Sequence, residues 1–268
     1  MNEDNVGKIL DVVYSNDRLD FFQLMKDIEL SNEELTGQQF GQDIEIIKNG
    51  LDVMYSIASH FVWTLNSPYI ANLPRGVTAI FSAFHKNMFA FYSALRLVRM
   101  GFYGAARMNM RHIFEALLIA KYCSVSHSVD IYERWKEGDM VYLSKGVLRK
   151  IASPDTSAFN EFWGLLSDFT HATVYAQQVS LNIRNIKNDI DVSFIFLRML
   201  LDCQYHLLNT HLITPSMEYY TKRYRKHGYM VPELRKKMRN LLINSNKSLI
   251  DRPKEIIRNY KAEWKIIS

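Results

Sequence analysis

Apolar residues recur along most of the chain with the three- to four-residue spacing of an α-helix, and strict alternation of apolar and polar residues is rare. Because a helix repeats every 3.6 residues and a strand every two, this pattern predicts an all-α protein. Residues 124–157 indicate helix, loop and helix, and 169–182 fit either a strand or a helix. Helices are predicted at residues 6–14, 18–28, 42–65, 75–100, 102–123, 158–168, 192–212, 217–226, 232–243 and 253–267.

Residues 75–123 are predicted to form an αα-hairpin, because Gly101 separates two helical segments of similar length. Pro74 suits the position just before the first of them, since its fixed φ and missing N–H are tolerated at a helix start. The second segment, 102–123, is apolar almost all the way round, which is typical of a central helix. The sequence therefore predicts a helical bundle built around this hairpin.

The composition is that of an ordinary globular protein, with 48% hydrophobic and 23% charged residues, which excludes a wholly disordered chain. Glycine and proline are scarce, which argues against turn-dense sandwiches and barrels. Two cysteines, Cys123 and Cys203, cannot build a disulfide framework or a cysteine zinc site, so a reducing cytoplasm is expected. We predict no signal peptide and no membrane span.

The net charge of +5 is distributed unevenly along the chain. Residues 217–268 hold 14 basic and 5 acidic residues, a net of +9, whereas residues 1–216 hold 19 basic and 23 acidic residues, a net of −4. We therefore predict a bundle domain at 1–216 and a basic helical C-terminal extension at 217–268. The extension is expected to bind nucleic acid, the alternative being a solvated helical face. The candidate nucleic-acid-binding residues are Lys222, Arg223, Arg225, Lys226, Arg235, Lys236, Lys237 and Arg239.

Charged residues on the central helix are the first candidate site. Arg107, Arg111 and Glu115 are spaced four residues apart and so share one stripe of the helix. Charges on a buried helix must be paired, and an Arg111–Glu115 ion pair that fixes the helix against its neighbours is the structural interpretation. The functional interpretation is a polar slot in which arginine binds a phosphate or carboxylate and Glu115 orients it.

Histidines supply the second candidate site. In a helix, Asp168 and His171 are neighbours, and a carboxylate beside a histidine sets its tautomer and raises its basicity. A structural histidine is the alternative, and Ser167 is its expected hydrogen-bond partner. Arg107 and His112 form an Arg-x-x-x-x-His motif, but about 140° separates them on an ideal helix. The remaining histidines are scattered, so no metal site and no cofactor are expected.

Several short motifs resemble a bacterial helical family of unknown function over residues 79–173. They are the run 92–106 followed by Arg-His-Ile-Phe-Glu at 111–115, an Arg-Trp pair at 134–135, and Leu-Ser-x-x-x-His at 166–171. That family is distantly similar to HEPN proteins, which are all-α domains of toxin, abortive-infection and antiphage systems. The resemblance implies a metal-independent ribonuclease whose Arg-x(4–6)-His motif lies at a dimer interface, and Arg107 and His112 match that spacing.

The sequence thus favours an HEPN-like, RNA-acting effector of the toxin or antiphage type. In its mechanism, His171 or His112 would activate a ribose 2′-hydroxyl, and Arg111 or Arg107 would stabilise the phosphorane charge. The alternative is a non-catalytic interaction module that binds nucleic acid or a partner protein through its basic extension. A small-molecule-binding bundle is a third hypothesis. The expected partners are RNA or another nucleic acid, a second copy in a homodimer, or a partner protein.

Overall fold

The computed structural model describes residues 21–65, 76–126, 128–139, 163–164, 166–167, 186–210, 233, 236–237 and 239–240. Over these residues the chain forms five helices and no strand, which confirms the predicted all-α bundle. None of the described helices is long and apolar enough to cross a lipid bilayer. The helices are α1 (Phe21–Leu65), α2 (Val77–Arg99), α3 (Tyr103–Ser126), α4 (Asp130–Lys136) and α5 (Ile186–Leu208).

Helices α2 and α3 form the predicted hairpin, and a glycine with positive φ flanks α2 on each side. Gly101 (φ 90°) makes the turn, where its N–H donates to the Val98 carbonyl at 3.2 Å. Gly76 (φ 95°) precedes α2, and a Cβ there would lie 2.7 Å from the Cys123 carbonyl oxygen. Because side chains strain a left-handed backbone and this space is already filled, only glycine fits the position.

The core lies around α3, which packs against α2, α4 and α5, while α5 also contacts α1 and α2. Over half of α3 is buried, in agreement with its nearly all-round apolar sequence. Fully buried aromatic rings from α2, α3 and α5 fill the centre of the bundle. They are Phe84, Phe91, Phe114, Phe194 and Phe196.

The predicted break between a helix ending at residue 28 and one beginning at residue 42 is wrong. Helix α1 is continuous there, with a single non-helical residue, Phe40 (φ −123°, ψ 20°). Two polar residues between these positions, Asn32 and Thr36, are buried, and each donates a hydrogen bond to a backbone carbonyl. Thr36 donates its hydroxyl to the Asn32 carbonyl at 2.8 Å, and the Asn32 amide donates to the Met100 carbonyl at 3.5 Å. The Asn32 side chain therefore joins α1 to the turn between α2 and α3, while Thr36 bonds within α1.

Helix α5 begins at Ile186, six residues before the predicted start at residue 192. Asp189 lies in its first turn, where a carboxylate is favourable at the positive end of the helix dipole. Two polar bonds then tie α5 to distant helices. Arg198 donates to Asp43 on α1 at 2.7 Å, and Gln204 accepts from Asn87 on α2 at 2.9 Å.

Candidate functional site

The inward side of α3 carries a buried ion pair. Arg107 Nη2 donates to Asp189 Oδ1 on α5 at 2.6 Å, and the two side chains are 0% and 3% exposed. Ser193, one turn along α5, donates its hydroxyl to the Asp189 carbonyl at 2.7 Å. Because the guanidinium is sealed between two helices, Arg107 holds α5 against α3 and is out of reach of a polymer substrate.

Tyr103 lies one turn before Arg107 and is also buried. Its hydroxyl finds no hydrogen-bond partner among the described residues. Burial raises the pKa of this phenol above its usual range, the nearby Asp189 carboxylate raises it further, and Arg107 opposes the shift. The phenol therefore stays neutral throughout the physiological pH range.

The outward edge of α3 carries the second ion pair. Arg111 Nε donates to Glu115 Oε1 at 3.0 Å, and each side chain is 21% exposed. The guanidinium carbon of Arg111 lies 4.9 Å from the ring centroid of Trp163, a cation–π contact. Trp163 also contacts Phe114, with their ring centroids 6.2 Å apart. Arg111 is thus held in place by its own helix and an indole, yet it reaches the surface.

His112, the next residue, is exposed and lies on a second indole. Its ring stacks on Trp135 of α4, with centroids 5.7 Å apart and an interplanar angle of 26°. Lys86 of α2 places its ammonium nitrogen 4.8 Å from the centroid of the same indole. Three helices therefore bring a histidine, a lysine and a tryptophan together at the surface.

Arg107 and His112 do not form a joint site within one chain. The guanidinium of Arg107 is buried against Asp189, whereas His112 is on the accessible side, as the 140° separation on an ideal helix indicates. We refer to Lys86, Arg111, His112, Glu115 and Trp135 as the accessible site. It contains three of the five residues predicted as catalytic.

Asp168 and His171 lie outside the described residues, so the role predicted for His171 stays a prediction. The segment before them approaches α3, since Trp163 covers Arg111 and Leu166 is fully buried in the core. Ser167 is half-buried. Of these residues, Trp163 lies beside the accessible site.

Three of the predicted nucleic-acid-binding residues are described, and all three are exposed in helical conformation: Lys236, Lys237 and Arg239. The others lie outside the described residues: Lys222, Arg223, Arg225, Lys226 and Arg235. The boundary at residue 216 lies outside them as well. The exposure of the three described cations leaves them available to an anionic partner.

Sequence reasoning missed the groups that complete each ion pair and ring contact. Asp189 precedes the predicted helix at residues 192–212, and no spacing pattern marks it as the partner of Arg107. Trp163 and Lys86 gave no signal, because cation–π contacts between helices leave no spacing pattern. Trp135 was noticed only in the Arg-Trp pair.

No group of three or more potential metal ligands is present in the part of the chain that the structure describes. Comparison with known proteins adds no identity, since no protein-family model, curated protein or solved structure matches the chain. The chemistry of the accessible site is therefore argued from its own geometry.

Proposed function

We propose that this protein is an RNA-acting effector that binds RNA along the accessible site. The observation that carries the proposal is the placement of the partly exposed Arg111 and the exposed His112, each in contact with a tryptophan. Arginine and protonated histidine bind phosphate oxygens, and an indole backing restricts their movement, so less entropy is lost on binding. The basic extension adds the charge that a polyanion requires.

RNA binding is favoured over cleavage through Arg107, because that guanidinium is sealed against Asp189. An arginine that neutralises a phosphorane must approach the phosphate closely. Arg107 could do so only if α5 separated from α3, which would break the Arg107–Asp189 ion pair and expose the core between the two helices. The Arg-x-x-x-x-His motif therefore supplies one structural residue and one accessible residue.

Cleavage through Arg111 is the second candidate, favoured by the accessibility of both Arg111 and His112 on adjacent positions of α3. In this mechanism a histidine takes the proton of the ribose 2′-hydroxyl, whose oxygen then attacks the adjacent phosphorus. The bond from phosphorus to the 5′-oxygen breaks, and that oxygen takes a proton from an acid. The products are a 2′,3′-cyclic phosphate and a 5′-hydroxyl. Arg111 stabilises the negative charge of the phosphorane-like transition state that precedes them.

Binding is tested with the full chain and a labelled RNA at increasing salt. The affinity should fall steeply, because each neutralised phosphate releases counterions. Changing Lys236, Lys237 and Arg239 together to glutamine should weaken binding and reduce the salt slope by about two for a single strand. A full-length protein that binds no RNA at low salt would refute the proposal.

Cleavage is tested on mixed RNA in the presence of EDTA, with the ends of the products analysed for cyclic phosphate. Arg111→Ala should lower the rate about a hundredfold or more, if the guanidinium stabilises the transition state. His112→Ala and His171→Ala identify the base, since only one of them should abolish cleavage while thermal stability stays similar. Growth inhibition on expression, with the same variants as controls, is the cellular counterpart. A protein that does not inhibit growth, and that binds RNA without cleaving it, would refute the cleavage proposal and support the binding proposal.

A further inference from the structure

The outward side of α2 presents a row of aromatic side chains to solvent. Phe81, His85, Phe89 and Tyr92 follow one another at intervals of four, four and three residues, so they lie along one stripe about 16 Å long. Phe89 is 67% exposed and Tyr92 is 57% exposed. The His85 ring meets Phe89 edge-on, with centroids 5.5 Å apart. A contiguous row of exposed rings, unlike a single exposed side chain, is typical of an interaction surface.

The charges that α2 itself places beside this row are all basic, although Arg99 pairs with Glu33 of α1 at 3.8 Å. Helix α2 contains Lys86, Arg96 and Arg99 and no acidic residue, and Lys86 and Arg96 are exposed. Helix α1 differs, since it holds seven acidic and two basic residues. An aromatic row with exposed cations on its own helix, Lys86 and Arg96, matches a ligand that offers flat rings and negative charge together.

The row is continuous with the accessible site. Lys86 lies on α2 one turn before Phe89, and its ammonium covers the same Trp135 indole on which His112 stacks. A strand bound at His112 and Lys86 would therefore meet Phe89 next along the surface. Lys86 is the residue that the two surfaces share.

We propose that α2 is a binding path for single-stranded RNA, in which Phe89 and Tyr92 stack on unpaired bases while Lys86 and Arg96 neutralise phosphates. The inference rests on the proposed RNA-binding function and names its substrate class. Bases in a duplex are stacked on each other, and their faces are closed to side chains on a helix surface. Unpaired bases expose both faces, and stacking on aromatic side chains accepts any base.

The test measures binding of a fluorescent single-stranded RNA of about ten nucleotides to the full chain, with unlabelled duplex and single-stranded DNA as competitors. Phe89→Ala and Tyr92→Ala should each weaken binding about tenfold, because each removes one stacking contact. Both side chains are exposed, so neither change should alter thermal stability. Tyr55→Ala on acidic α1 is the matched control, since Tyr55 is 61% exposed and should not affect affinity.

Lys86→Gln should reduce the slope of log affinity against log salt by about 0.7, which separates phosphate neutralisation from stacking. Equal competition by duplex RNA, or full affinity in the Phe89→Ala, Tyr92→Ala double variant, would overturn the inference and leave RNA binding elsewhere intact. Competition by single-stranded DNA as strong as by RNA would support the stacking path. Absence of any RNA binding would overturn both proposals. Self-association that Phe89→Ala abolishes, with RNA affinity unchanged, would assign the row to a second copy of the chain.

Discussion

Two arginines on α3, one helical turn apart, occupy opposite environments. Arg107 is fully buried and pairs with a carboxylate 82 residues away on α5, whereas Arg111 is 21% exposed and pairs with Glu115 four residues away on its own helix. A partner on another helix makes an arginine part of the packing. A partner on the same helix leaves the ion pair at the edge of the bundle, where both side chains remain partly exposed. Two charged residues on the same stripe of a helix can therefore differ in role: Arg107 is part of the core packing, and Arg111 is not.

The comparison is tested most strongly by removing the carboxylate on the inward side. Asp189→Ala should lower the free energy of unfolding by about 3–5 kcal/mol, because Arg107 is left charged in an apolar environment. Urea denaturation followed by circular dichroism measures this loss. A change below about 1 kcal/mol would show that the Arg107–Asp189 pair does not hold α5.

The matched control replaces both members of that pair by apolar residues. Arg107→Met with Asp189→Leu should recover much of the lost stability, since no uncompensated charge remains. RNA affinity in this double variant should equal that of the unaltered protein, because Arg107 is sealed from the surface. Loss of RNA binding in a stably folded double variant would assign Arg107 to the site after all.

A smaller effect is expected from raising the pH, which acts on the inward side of α3. Burial raises the pKa of the Cys123 thiol from 9.0 to about 11, so the thiol ionises first in the unfolded chain. Its contribution to stability is therefore complete below pH 9 and is lost as the pH rises towards 11, by about 1.4 kcal/mol per pH unit.

Chemical denaturation at increasing pH measures this fall in the free energy of unfolding, and Cys123→Ala should make it shallower. Tyr103 shifts in the same direction at higher pH, because its phenol is also held neutral by burial. An equal slope in the unaltered protein and the Cys123→Ala variant would contradict the assignment to this thiol.

The smallest change in stability is expected on the outward side. Arg111→Ala should lower the free energy of unfolding by less than about 1 kcal/mol, because partly exposed ion pairs within a helix contribute little. RNA affinity should nevertheless fall, which a calorimetric melt and a binding titration on the same preparation would show. A large loss of stability with unchanged RNA affinity would show that Arg111, like Arg107, is structural, and would contradict the difference in role between them.

The α2–α3 hairpin could be predicted from the sequence because its information is local. Apolar spacing and Gly101 are enough to define two helices and the turn between them. Helix α1 could not be predicted as one element, because Asn32 and Thr36 are polar residues that face the core. Asn32 bonds to a carbonyl in the α2–α3 turn, and Thr36 bonds to a carbonyl within α1. Neither hydrogen bond can be predicted from the spacing of hydrophobic residues.

The candidate site was predictable to a similar extent. The Arg111–Glu115 pair follows from a spacing of four residues on one helix, and the structure contains it. The partner of Arg107 could not be predicted, since nothing in the spacing identifies a carboxylate on another helix. The contacts of Trp163 with Arg111 and of Trp135 with His112 could not be predicted either, because each joins segments that are separate in sequence.

The polar bonds made by α5 have a consequence for the order in which the chain folds. They join Asp189, Gln204 and Arg198 to residues 82, 117 and 155 positions earlier. The hairpin closes through contacts of short sequence separation, which form quickly, whereas these bonds require long loops to close first. During synthesis, Arg107 and Asn87 must wait for α5 to leave the ribosome. We therefore expect docking of α5 to be a late step of folding, before which Arg107 and Asn87 lack their partners on α5.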